Sequence, residues 1–440
     1  VAGDNRACEH DLTNVDGTCR NILRNTSAIR NPFWAGWALE NQTLGIGRDV
    51  PINFITWPTS HNAYSSSVQG FGSNLYTNQA ISMTDQMNAG ARMLELDPKR
   101  YLMLGLPTQI PISDVAIRLC HASSVLLCVA PGYGNRLFGF ALKEIADWVD
   151  ANPGQVLYIK LDNDRAIGGR IQEIYDEVQR YLGHRVYTVP DGGFRRWPTL
   201  GEIRAAGKSI IVVQHNTPGD VATKWVWKAI GLVQQDNHPK DQDFDNCKAY
   251  DGMDQIERGA TSPLTWWDVA EGRAKTNTGN ADTGLLWEED VRKATRCGVA
   301  SIGLDFINAL NSSYNIERST DPDRRMAAMI WSWAENDWGR GGPAVMNAEG
   351  RWNSVAANNV YPVACAVKRV PASTIQDREW RITAAEIPWN LALANEQCVR
   401  EFGSNYEFGA PENGYQNRFL YELAGGRRVW LRYSNVNVPN

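Results

Sequence analysis

No run of apolar residues in this sequence approaches the roughly 18 needed to cross a bilayer, so any contact with lipid is expected to be peripheral. A surplus of one charge sign is missing as well. The 44 Lys and Arg face 49 Asp and Glu, for a net charge of -5, and the signs are well mixed, leaving no electrostatic footprint for nucleic acid or an anionic surface. There is no CxxC pair of the kind that binds zinc, which leaves the eight cysteines, an even number, to read as disulfides of an oxidising compartment. With 43% hydrophobic and 21% charged residues, the composition of disorder is absent too.

Several features point to secretion. The chain begins at Val1 without a charged-then-apolar leader, as expected of a mature secreted protein. The triplets Asn25-Thr26-Ser27, Asn41-Gln42-Thr43 and Asn311-Ser312-Ser313 fit glycosylation, favouring an extracellular protein of a eukaryote. A monomer is expected. At 440 residues the chain has room for a barrel of about 250 residues plus an accessory module.

Residues 1–48 are rich in Asn, Asp, Arg and Gly and read as an irregular lead-in. From 49 to 325, short apolar or β-branched runs alternate with helical or loop stretches: 52–57, 91–97, 115–121, 155–162, 208–215 and 299–307. This alternation argues for a parallel sheet, an α/β fold. Apolar positions at helical spacing predict a helix over 138–150, ended by Asn152-Pro153-Gly154. Six strands are visible where a closed barrel needs eight, and the missing two are expected between 216 and 298. Residues 326–440 turn Trp-rich, with a helix expected over 389–402, a further element over 415–423 and a strand over 429–433. Those pieces resemble a C-type-lectin-like domain in permuted order.

Polar residues fall where the runs end: Ser60-His61-Asn62, Glu95 and Asp97, His121, and Asp162. In a parallel barrel the carboxyl ends of the strands share one mouth. The period of two puts Glu95 and Asp97 on one face, and aligns Tyr158, Lys160 and Asp162 on another strand. Asn62, Glu95, Asp97 and Asp162 form an all-oxygen, anionic set suited to calcium. His61 and His121 beside it could serve as general base and general acid. Lys160 could hold a phosphate oxygen, or pair with Asp162 as a structural ion pair. A zinc site using both histidines and a carboxylate is the alternative metal, and would leave no obvious acid–base pair. Asp305 and His215 also end runs; Asp305 could equally cap a helix, and His215 reads as a surface or loop residue. Most of the 17 tryptophans read as core, with Trp57, Trp266 and Trp267 as candidates for the barrel mouth.

The segments Pro58-Thr-Ser-His61-Asn62-Ala-Tyr64, Gly90-Ala-Arg-Met-Leu-Glu95-Leu-Asp97, Cys120-His121 and Leu161-Asp162-Asn163 resemble the X region of phosphoinositide-specific phospholipases C, in order and in spacing. The resemblance runs over about 50–215 and implies a TIM-like barrel. It further implies metal binding by Asn62, Glu95, Asp97 and Asp162, and acid–base roles for His61 and His121. Asp162 stands where eukaryotic members usually have Glu. The pleckstrin-homology, EF-hand, Y and C2 regions of the signalling enzymes are not recognisable, so a compact secreted phospholipase C acting on phosphatidylinositol is implied. Glycerophosphodiesterases usually have Arg after the first histidine, against Asn62 here; sphingomyelinase-D-like enzymes are a third neighbour. A lipid or glycan binder on an inactive barrel is the non-enzymatic alternative. Expected disulfides are Cys8–Cys19, Cys120–Cys128, Cys247–Cys297 and Cys365–Cys398.

Overall fold

Strands buried on both faces belong in the middle of a layered structure, and Trp57–Ser60, Met93–Leu96, Leu157–Leu161 and Ile210–Gln214 are buried at every position. The computed structural model describes residues 38–66, 78–79, 81–100, 117–120, 136–162, 171–188, 197–214, 227–228, 234–235, 247, 265–267, 288–304, 322–335, 337, 341–368 and 378–434. In it these runs are β1 to β4 of an eight-stranded sheet completed by β5 (Trp227–Lys228), β6 (Gln234–Gln235), β7 (Thr265–Trp267) and β8 (Ser301–Leu304). The order is β5-β4-β3-β2-β1-β8-β7-β6, and every neighbouring pair is parallel. Every strand but β5 and β6 therefore lies beside both its neighbours in sequence, and β1 lies beside β8. This is the ring order of a β/α barrel, open among the described residues between β5 and β6.

Four of the six expected strands are in this sheet, and a fifth is displaced: 52–54 form a 3-10 turn and β1 starts only at Trp57. The remaining one is not: Ile117–Leu119 pairs antiparallel with Pro98–Arg100 and Arg136–Leu137 in a separate ribbon. Pro98 follows β2 after one residue, so the ribbon hangs from the carboxyl end of that strand. The stretch 216–298 contributes three strands rather than two, each only two or three residues long.

Helices α1 (Met83–Ala89), α2 (Phe138–Ala151), α3 (Ile171–Leu182), α4 (Leu200–Ala205) and α5 (Glu288–Arg296) lie in the connections: α1 after β1, α2 after β2, α3 and α4 after β3, and α5 before β8. Ser82 caps α1 by accepting from the Asp85 N–H, and Gly90 ends it at φ 117°, a backbone conformation that favours glycine. One core joins Leu94, Ile159 and Val212 of the sheet to Leu142 and Ile145 of α2 and Val178 of α3. The alternate sheet positions, Trp57, Met93, Tyr158 and Ile211, pack instead against Phe54, Trp197 and Leu200, which plug the amino-terminal end. Trp57 is thus 1% exposed, its Nε1 donating to the Ile52 carbonyl, and belongs to this plug, not to a mouth.

Beyond α6 (Pro322–Ala328), β9 (Pro343–Met346) lies between β10 (Trp352–Ser354) and the last strand, and β11 (Val360–Tyr361) pairs with a strand further on. β12 (Ala364–Val367) is flanked by β13 (Trp380–Ile382) and a second later strand. Then come β14 (Ile387–Pro388), α7 (Leu391–Phe402), β15 (Tyr406–Phe408), α8 (Gly414–Ala424) and β16 (Val429–Ser434). Their outer core surrounds the Cys365–Cys398 disulfide. Their inner residues, Trp331, Trp352, Leu420 and Val429, share the core of the sheet. The Cys247–Cys297 bond is present too, and Cys120 is disulfide-bonded; Cys8, Cys19 and Cys128 lie outside the described residues.

The end of the expected irregular lead-in, residues 41–48, forms short helical turns that run on to Asp49. Gln42 is buried and ties them to the C-terminal region. Its Nε2 donates to the Met329 carbonyl at 3.0 Å, and its Oε1 accepts from the Trp331 N–H at 2.8 Å and the Ser332 hydroxyl at 3.0 Å. Asn41 Oδ1 accepts from Trp333 Nε1 and the Tyr433 hydroxyl. The triplet at Asn41 is therefore helical and packed, not the exposed loop a glycan requires; Asn25 and Asn311 lie outside the described residues.

Candidate active site

Register fixes which side chains meet. Glu95 of β2 pairs with Lys160 of β3, one alternation beyond the apolar pair Met93 and Tyr158. The same face is thus apolar at its amino-terminal end and ionic towards the carboxyl end, with Asp97 and Asp162 immediately past their strands and His61 just past β1.

Lys160 is fully buried, its Nζ 2.6 Å from Glu95 Oε1 and 3.8 Å from Asp162 Oδ2. Burial of two charges costs several kcal/mol per ion unless geometry and hydrogen bonds compensate. Burial by itself would raise the Glu95 carboxyl pKa. The charges of Lys160 and His61, the Lys160 hydrogen bond and the Asn62 N–H outweigh it, holding that pKa below its ordinary value. Burial likewise pulls the Lys160 ammonium down, but Glu95, Asp162 and Asp97 raise it overall. The pair is ionised at neutral pH.

His61 Nε2 lies 3.8 Å from Glu95 Oε2. The Asn62 side-chain amide is 3.1 Å from Nε2, and that of Asn78 is 3.4 Å from Nδ1. A neutral imidazole has one N–H and one lone pair, so one of these two amides turns its oxygen to the ring. The Gln79 amide donates to the His61 carbonyl. Asn62 has φ 43°, a left-handed conformation that asparagine tolerates better than most residues, and its backbone N–H points at Glu95 Oε2 at 3.3 Å. The turn it begins is pinned by the Ala63 N–H on the Glu95 carbonyl at 3.0 Å.

Glu95, Asp97 and Asp162 each offer an oxygen, and the three lie within 4.8 Å of one another. Tyr64 donates its hydroxyl to Asp97 Oδ2 at 2.9 Å, and the Asp162 N–H bonds the Leu96 carbonyl at 2.9 Å. Three carboxylates against one ammonium leave the cluster anionic. Acceptor-only oxygens at this spacing suit a hard divalent cation, so the residues present fit calcium.

Six of the seven residues expected in the site, His61, Asn62, Glu95, Asp97, Lys160 and Asp162, come together. His121 lies outside the described residues; the described strand before it, Ile117–Leu119, belongs to the antiparallel ribbon. Its predecessor Cys120 donates its N–H to the Asp97 carbonyl at 3.2 Å, at the edge of the cluster. Asp305 and His215 are outside the described residues, as is a reading of Trp266 and Trp267 as mouth residues, because their side chains are not described. Tyr64, Asn78 and Gln79 escaped the sequence reading as site residues. Tyr64 stands inside the His61-Asn62 motif, which could have flagged it; Asn78 and Gln79 sit in a polar stretch without period.

The described residues thus form an α/β protein, a ring-ordered parallel sheet with a carboxylate, lysine and histidine cluster at the carboxyl ends of β1, β2 and β3. Residues 55–253 match the family model described as PI-PLC X 1, and through this stretch the chain is similar to PLC-like phosphodiesterases. An uncharacterized protein of Mycobacterium tuberculosis is 24% identical over 438 residues, covering 93% of this chain and 82% of its own. A PI-PLC X domain-containing protein of Arthroderma benhamiae is 26% identical over 144 residues, 32% of this chain and 41% of that one. Among solved structures, the phosphatidylinositol-specific phospholipase C of Listeria monocytogenes superposes with a TM-score of 0.41 at 15% identity, covering 66% of this chain and 97% of that chain.

Proposed function

We propose that the chain is a secreted, calcium-dependent phosphodiesterase of the phospholipase C type, acting on phosphatidylinositol-class lipid at a membrane or aggregate surface from a closed barrel at 49–325. The observation that carries this reading is the convergence of Glu95, Asp97 and Asp162 within 4.8 Å, beside the His61 ring. Asn62, Glu95, Asp97 and Asp162 would hold calcium, which supplies charge neutralisation of the phosphate and a lower pKa for the attacking hydroxyl. The all-oxygen character of the cluster favours calcium over zinc.

His61 and His121 divide the proton transfers. One takes the proton of the inositol 2-hydroxyl as its oxygen attacks phosphorus; the other protonates the departing glycerol oxygen, releasing diacylglycerol. Water then opens the cyclic phosphate. If Asn62 offers its oxygen to the metal, its Nδ2 donates to His61 Nε2, placing the ring proton on Nδ1 towards Asn78. Lys160 holds Glu95 charged and in place, and is the nearest cation for a non-bridging phosphate oxygen.

His61→Ala separates this reading from that of a non-enzymatic lipid binder. Vesicle binding should persist while release of diacylglycerol and inositol phosphate falls by about 10²–10⁴-fold, the usual worth of an acid–base group. Wild-type protein that binds vesicles and releases no product would sink the enzymatic reading. Release of phosphatidic acid in place of diacylglycerol would move the cleaved bond to the head-group side.

A further inference from the structure

Away from the strand ends, a cavity of about 330 Å³ lies between α5, the 328–331 segment, the 349–351 turn and α8. Cationic side chains from three separate segments line it, Arg292, Lys293 and Arg296 of α5, Arg351 of the turn and Arg418 of α8, against two carboxylates, Glu349 and Glu422. Three of them have carboxylate partners one helical turn away: Arg292 with Glu288, Lys293 with Glu289 and Arg418 with Glu422. Arg296 and Arg351 have no carboxylate within 4.0 Å among the described residues. Arg351 spends one Nη1 hydrogen bond on the Ile330 carbonyl, and the nearby Glu349 is an exposed residue of the turn.

Cations in the last turn of α5 suit its helix dipole, which accounts for Lys293 and Arg296 but not for Arg351 and Arg418 arriving from elsewhere. The crowding is felt electrostatically. Burial, then Arg296 and Arg292, push the Arg351 guanidinium down to about 10. Burial, then Arg292 and Arg418, lower Arg296. Five cations against two carboxylates around a partly enclosed space, in a chain of net charge -5, leave a net positive lining that suits an anion. Guanidinium forks match the tetrahedral oxygens of a phosphate, and the volume falls within the range of small-ligand pockets.

We propose that this cavity is a binding site for a phosphate group, carried by inorganic phosphate or by a small phosphomonoester, held by Arg296 and Arg351 with Arg292 and Arg418 around it. The site joins α5 of the sheet layer to α8 and the 349–351 turn of the C-terminal region, so its occupant stabilises that junction. It is independent of the chemistry assigned to the strand ends.

The test is calorimetric and thermal titration of the full chain, stripped of metal, with sodium phosphate, with myo-inositol 1-phosphate, and with sodium chloride at matched ionic strength. Saturable binding of a phosphate, with a rise in Tm that chloride does not reproduce, is expected. Arg296→Gln with Arg351→Gln should weaken it roughly tenfold or more, the worth of one or two charge-assisted bonds, measured as binding to the folded variant, since Arg351 also bonds the Ile330 carbonyl and the phosphate-free Tm reads that loss separately. Binding of both phosphates identifies the free group as sufficient; binding of inositol phosphate alone identifies a phosphorylated ring. Should the double variant not fold, Arg351→Lys, which keeps the charge and loses the fork, is expected to weaken binding several-fold. An equal shift with chloride, or undiminished phosphate binding in the folded variants, would overturn the proposal.

Discussion

At the scale of single residues, the account rests on how one buried lysine and three carboxylates coexist. Lys160→Met would leave Glu95 buried without its nearest cation, a change that typically costs about 3–5 kcal/mol. Part of that loss should return on adding calcium, so thermal melts are expected to show a larger calcium-induced rise in Tm for the variant than for wild type. Tyr64 touches Asp97 and not the reacting atoms, so it is a positioning residue. Tyr64→Phe is expected to weaken calcium affinity by about tenfold, the lower end for lost outer-sphere hydrogen bonds, with unchanged Tm in chelator; equal affinity would make the contact incidental. Much of this cluster was legible because Glu95-x-Asp97 and Lys160-x-Asp162 each combine a strand period with a strand end. The contacts of Asn78 and Gln79 were not, since they depend on a chain reversal that no periodicity announces.

At the scale of elements, α1, α2 and the ribbon are locked by one buried ion pair. Glu144 of α2 bonds Arg136 and accepts from the Thr84 backbone N–H and hydroxyl at the start of α1. Burial raises the Glu144 carboxyl pKa, but Arg136 and Thr84 bring it below the ordinary 4.5. A carboxyl depressed on folding stabilises above its unfolded pKa and loses that contribution as pH falls through the folded value. The Tm advantage of wild type over Glu144→Gln should therefore be full at neutral pH and shrink only below 4.5; melts at several pH values would show it, and a constant gap would contradict it. The helix at 138–151 was readable from its apolar spacing. The 117–119 run was misread because a β-branched run looks the same in a ribbon as in a parallel sheet, and β5 and β6 escaped because two residues carry no period.

For the whole molecule, the division at 325 marks a change of composition more than a physical boundary. Met326, Met329 and Trp331 complete the core that begins in the sheet, and Gln42 spans from residue 42 to 329–332. Residues 49–325 alone are accordingly expected to lack a cooperative thermal transition; a sharp one would show that the sheet region folds independently. The permuted lectin-like reading has only the existence of α7, α8 and β16 at the expected places to support it. Cys247–Cys297 and Cys365–Cys398 are both present as expected; the sequence motivated the second as closing the C-terminal region and carried no spacing signal for the first.

The central claim is that an acidic cluster at the strand ends uses calcium to cleave a lipid phosphodiester. Its most direct test is diacylglycerol release from phosphatidylinositol vesicles by the full chain, in calcium, in a calcium-selective chelator, and after calcium or zinc is restored. Release that stops in chelator and returns with calcium is the predicted result; release that survives chelation, or returns with zinc alone, would contradict it.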